Sequence, residues 1–83
     1  MITKEQILKK LAQHFRFNIA SVDTSKNLFR GFIDSLDFLT YAKSIESLAQ
    51  ESNLKFDLED FLYSECYSVD DIFLYLTSKN QDA

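Results

Sequence analysis

One nucleophile in the 83-residue chain has a setting of its own. Ser35 follows Asp34 and precedes Leu36, after the loop Asn27-Leu28-Phe29-Arg30-Gly31-Phe32-Ile33 and at the start of a stretch with helical apolar spacing. A serine at a helix entrance turns its hydroxyl to solvent, where unpaired N–H groups and the helix dipole favour an attached phosphate. Asp34 suits two compatible roles there: the helix N-cap, and an acid for recognition or metal contact by an enzyme that delivers a group with a divalent cation. Hydrolytic chemistry does not fit. A serine nucleophile needs a positioned base and an oxyanion hole, the flanking glycines of a nucleophile elbow are missing, and the one histidine, His14, falls on the first helix. Cys66 and His14 supply too few ligands for a zinc site, and a lone cysteine is by default a buried small hydrophobe.

The elements that must position Ser35 are helical. The chain has no Pro and one Gly, and its apolar residues recur at 3.6-residue spacing, so an all-α domain covering residues 1–83 is expected. Thr3-Lys4-Glu5-Gln6 has the pattern of a capping box, and Ile7, Leu8, Leu11 and Phe15 form the buried face of a first helix running to about Phe15. Lys4, Lys9, Lys10 and Gln13 fall mainly on its other face. From Arg16 to Ile33 the periodicity decays into a long loop, for which Val22, Leu28 and Phe29 are the apolar anchors and Gly31 the residue free to take positive φ.

A second helix is expected from Asp34 to about Glu51–Asn53, with Phe38, Ala42, Ile45 and Ala49 as its stripe and Leu39, Tyr41 and Leu48 widening it. Asp57 opens a short helix over 57–63, and Ser68 caps a last helix carrying Val69, Ile72, Phe73 and Leu76. The aromatic residues Phe56, Phe61, Tyr63, Tyr67, Phe73 and Tyr75 are expected to be core rather than the lining of a ligand groove.

Composition narrows the partners. Residues 1–30 hold six bases against two acids, net +4, and residues 31–83 hold eleven acids against three bases, net −8, for a total of −4. An acidic chain of this kind is not a nucleic-acid binder, and its longer, acidic part favours basic partner surfaces. A single cysteine, apolar runs far shorter than the roughly 20 residues of a membrane span and no leader pattern at the start give the expectation of a cytoplasmic, monomeric protein that does not insert in membranes.

The chain resembles the acyl carrier proteins over nearly its whole length. The matching pieces are Thr3 to Leu8, the block Asn27-Leu28-Phe29-Arg30-Gly31-Phe32-Ile33-Asp34-Ser35-Leu36, and Ser68-Val69-Asp70-Asp71-Ile72 with Tyr75-Leu76. The resemblance implies a bundle of three principal helices plus a short one, and a 4′-phosphopantetheine arm, derived from coenzyme A, on Ser35. It implies a carrier and not an enzyme: acyl or aminoacyl groups are held as thioesters on the arm's terminal thiol. The implied partners are a phosphopantetheinyl transferase, a loading ligase, and synthase or transferase enzymes with basic docking surfaces. Leu36, Asp37, Leu39 and Glu46 match the positions that such partners touch.

Departures from the family's fatty-acid members are specific. Thr40 and Lys43 stand where those members carry an acid and an apolar residue, Ser47 and Leu48 thin the acidic run after Glu46, and Gly31 lies four residues before Ser35 instead of three. These differences point to a dedicated, stand-alone pathway carrier. The alternatives are an aminoacyl or D-alanyl carrier in place of a fatty acyl one, and a helical protein-interaction module with the same acidic surface but no prosthetic group.

Overall fold

The computed structural model describes residues 2–81, and every element in them is helical. Four α-helices follow in order: α1 Lys4–His14, α2 Phe38–Glu51, α3 Leu58–Tyr63 and α4 Val69–Lys79, with 3₁₀ turns at Ile19–Ser21 and Ser35–Asp37. This is a small helical bundle in which α1 packs on α2 and α4, and α3 packs on α2.

Local chemistry starts each helix where its capping residue stands. The Thr3 hydroxyl accepts from the Gln6 N–H at 3.2 Å and the Gln6 side chain accepts from the Thr3 N–H at 2.8 Å, completing the capping box. Asp57 caps α3 by accepting from the Asp60 N–H at 3.2 Å, and Ser68 caps α4 by accepting from Asp71 at 3.1 Å. Removing one such cap costs about 1 kcal/mol.

The core forms where the apolar stripes meet. Ile7, Leu8 and Leu11 of α1, Tyr41, Ala42, Ile45, Leu48 and Ala49 of α2, Phe61 of α3, and Val69, Ile72 and Leu76 of α4 are buried in one cluster. Burying each large aliphatic or aromatic side chain contributes about 1.5–3 kcal/mol before chain entropy is set against it. Cys66 is buried with them, as expected for a small hydrophobe.

Expectations about the helices need correction at several positions. Lys10, assigned to the solvent face of α1, is buried: its four-carbon stem covers apolar surface while Nζ reaches Glu51 of α2 at 2.7 Å. Leu39, assigned to the buried stripe of α2, is 52% exposed because the stripe follows Tyr41, Ala42, Ile45 and Ala49. Tyr63 is not core but stands 80% exposed at the end of α3, a helix too short to bury both its sides. The second helix does not open at Asp34; a 3₁₀ turn precedes it and the α-helix begins at Phe38.

The long loop is held by both side chains and backbone. Leu28 is fully buried and Val22 and Phe29 pack half-buried against the core, as their anchor role requires. The Leu28 N–H donates to the Tyr67 carbonyl at 2.8 Å and the Asp70 N–H donates to the Thr24 carbonyl at 2.9 Å, so the loop is laced to the end of the α3–α4 connection and to the first turn of α4. At the other end of the bundle, Asn80 clasps the backbone of Lys55, accepting from its N–H at 2.7 Å and donating to its carbonyl at 3.2 Å. Tyr75 and Lys79 of α4 both donate to the Asp60 carboxylate, each at 2.9 Å, and tie α3 to α4.

Candidate functional site

The approach to Ser35 is built from turns that only particular residues allow. The Asn27 side chain accepts from the Phe29 N–H at 2.8 Å, and the N–H groups of Phe32 and Ile33 both donate to the Leu28 carbonyl, at 3.2 and 3.0 Å. Gly31 takes φ +121° at the crest, a conformation that a side chain disfavours. With Leu28 and Ile33 buried on either side, the chain leaves the core at Asp34 and is exposed from there to Asp37.

Ser35 is therefore on the surface, at the first position of the 3₁₀ turn that leads into α2. Asp34 is the cap of that turn: its Oδ1 accepts from the Leu36 N–H at 2.9 Å and its carbonyl accepts from the Asp37 N–H at 2.9 Å. The Phe38 N–H donates to the Ser35 carbonyl. These bonds occupy N–H groups that a bare helix end would have offered to a phosphate, so the unpaired donors expected beside Ser35 are largely used by the turn. What remains there for an anion is the dipole of α2, one turn away. The second carboxylate oxygen of Asp34 has no protein partner among the described residues, so capping uses only one of its two oxygens.

Beside Ser35 lies an open groove of about 300 Å³, lined by Asn27, Phe29, Ser35, Phe38 and Tyr67. Its three rings touch edge to face, with centroids 5.6 Å apart for Phe29 and Phe38 and 5.8 Å for each with Tyr67. Behind them Tyr41 is fully buried, its ring 4.9 Å from Phe29, and its hydroxyl donates to the Cys66 carbonyl at 2.6 Å. Burial pushes the Tyr41 phenol well above its ordinary value, so the donor keeps its proton. Burial likewise raises the Cys66 thiol, outweighing its hydrogen bond with the Ser64 hydroxyl. Of the residues that form the groove, Tyr67 was expected in the core, yet it is half-buried at the rim.

The four residues matched to partner contact fall along one run of surface. Leu36 is 89% exposed and Asp37 is exposed in the 3₁₀ turn, Leu39 lies in the first turn of α2, and Glu46, partly exposed, follows it by seven residues, two turns along the same helix face. Lys43 projects from the turn between Leu39 and Glu46 and is exposed, so this face mixes two acids with a base. His14 is exposed at the end of α1, and among the described residues no group of three or more potential metal ligands is present. No helix of the described residues is long and apolar enough to cross a membrane.

Comparison with family models, with curated proteins and with solved structures found no match.

Proposed function

We propose that this protein is a carrier whose Ser35 receives a 4′-phosphopantetheine arm and which holds acyl or aminoacyl groups as thioesters for delivery between enzymes. The observation that carries the reading is the exposed Ser35, directly after the capping Asp34 on a turn at the mouth of α2. In this reading the bundle has the acyl-carrier arrangement, with α1, α2 and α4 as principal helices and α3 as the short one.

The chain's own part in modification is positional. The Ser35 Oγ forms a bond to the pantetheine-side phosphorus of coenzyme A, the bond from that phosphorus to the adenosine bisphosphate breaks, and the hydroxyl proton passes to a base of the transferase. Asp34 faces the transferase with its free carboxylate oxygen, a position suited to the divalent cation that accompanies coenzyme A. When attached, the arm supplies a terminal thiol for thioester chemistry. No catalytic residue is assigned to the carrier, and Leu36, Asp37, Leu39 and Glu46 form its docking face for partners with basic surfaces.

Incubation with coenzyme A, Mg²⁺ and a broad-specificity phosphopantetheinyl transferase tests this by intact-mass measurement. The expected result is the addition of one phosphopantetheine to the wild type and none to Ser35→Ala. An unmodified wild type, or an addition that persists in Ser35→Ala, refutes it and favours an interaction module without a prosthetic group.

A further inference from the structure

We infer that the aromatic groove beside Ser35 is the seat of the arm's own proximal segment, the branched, dimethyl-bearing pantoyl unit next to the phosphate; this rests on Ser35 being the attachment point. Ser35 is itself part of the groove's lining, so whatever is bonded to its Oγ begins at the rim. An arm of about fourteen atoms in series reaches roughly as far as five extended residues, ~16 Å. Its first few atoms beyond the phosphate fall within the groove, while the thiol and its cargo lie well past it unless the arm doubles back.

The groove's chemistry matches that segment and not a long chain. Its volume, about 300 Å³, is at the low end of the roughly 300–1,000 Å³ of small-molecule pockets. Tyr41 packs against two of the groove's rings, Phe29 and Phe38, and its hydroxyl is committed to the Cys66 carbonyl at 2.6 Å. A saturated chain that passed inward at Tyr41 would have to displace a fully buried ring. A compact group with two methyls needs no such opening, because the contiguous faces and edges of Phe29, Phe38 and Tyr67 offer an apolar surface of its size.

Polar groups at the rim complete the match. Asn27 spends its side-chain oxygen on the Phe29 N–H, leaving the amide Nδ2 without a protein partner among the described residues, and the Tyr67 hydroxyl has none there either. Both are donors able to meet the pantoyl hydroxyl and the amide carbonyl that follows it. Because the arm is tethered at the rim, its effective concentration over the groove is on the order of millimolar, so contacts too weak to hold free pantetheine suffice to seat the attached arm.

The test is NMR on the full chain carrying the arm on Ser35, with nuclear Overhauser contacts measured from the two pantoyl methyls. Contacts to the rings of Phe29, Phe38 or Tyr67 are expected, with changed amide shifts at Asn27 and Tyr67 relative to the unmodified protein. In Asn27→Asp, which keeps the acceptor for Phe29 and removes the donor, and in Tyr67→Phe, the contacts should weaken while the fold is unchanged. A modified protein whose methyls show narrow lines and no ring contacts overturns the groove assignment alone. So does a loaded protein in which the acyl protons, and not the pantoyl methyls, contact the rings. Failure to modify Ser35 at all overturns the carrier reading and this inference together.

Discussion

The hydrogen bond from Tyr41 of α2 to the Cys66 carbonyl ties that helix to the connection between α3 and α4, and Tyr41→Phe removes it with little else. At 2.6 Å, with Tyr41 fully buried and Cys66 6% exposed, no water replaces the lost donor. The variant keeps the ring and its contacts with Phe29, Phe38 and Phe61, so the cavity term is confined to one oxygen. What is lost is the bond, and the carbonyl is left unpaired at a cost of about 1–3 kcal/mol; relief of the hydroxyl's own burial offsets part of that, for a net loss of ~1–2 kcal/mol. In a domain of this size each kcal/mol lowers the melting temperature by about 4–8 °C, so a fall of roughly 5–15 °C is expected. Urea unfolding followed by circular dichroism should show a lower midpoint at unchanged slope. Tyr67→Phe is the control: its half-buried hydroxyl has no partner among the described residues, and its loss should cost less than ~0.5 kcal/mol. Equal midpoints for Tyr41→Phe and the wild type would refute the reasoning, since the buried donor would then contribute nothing.

Gly31→Ala should destabilise by about 1–3 kcal/mol through backbone conformation alone, because φ is +121° and a Cβ there meets no atom within 4 Å; a urea midpoint at or above that of the wild type would contradict this. Stability should be flat from neutral pH to about pH 5 and fall below that in low salt. The Glu51 carboxyl is held below its ordinary 4.5 by the hydrogen bond from Lys10, and Asp60 and Asp70 are held below 3.8 by Lys79 and Lys4. For carboxyls depressed on folding, the stabilising contribution is complete above the unfolded values and is lost as pH falls through the folded ones, so melting temperatures that rise on acidification from pH 5 to 3 would contradict the pairing. All three pairs are at least partly solvent-exposed, and added salt should flatten the fall. On the proposed carrier reading, charge reversal at Glu46 should slow turnover by a partner enzyme several-fold in low salt while shifting the unfolding free energy by less than ~0.5 kcal/mol, because exposed charges in a helix interior contribute little to stability; steady-state kinetics alongside urea unfolding separates the two effects.

Much of the site was legible in residue order because the forces that build it act over three or four positions. Asp34 caps the turn two residues ahead of it, Gly31 takes the positive φ that no other residue of the loop adopts cheaply, and Leu28 anchors the loop in the core. Exposure of Ser35 follows from these. Spacing could not show that a 3₁₀ turn intervenes before α2, because Asp34 caps either kind of helix start. Nor could it show the groove, whose aromatic walls come from the loop, from α2 and from the segment before α4.

By itself the amino-acid order determined the all-helical character, the capping of α1, α3 and α4 by Thr3, Asp57 and Ser68, and the apolar faces that form the core, since capping and periodicity are interactions between near neighbours. Only the tertiary structure decided that Lys10 is buried against Glu51, that the Tyr41 hydroxyl finds the Cys66 carbonyl, and that Asn80 closes on Lys55, pairs separated by 41, 25 and 25 residues. Each of those side chains has an alternative in water of nearly equal free energy, and the contact forms only because the fold brings a partner distant in sequence within reach.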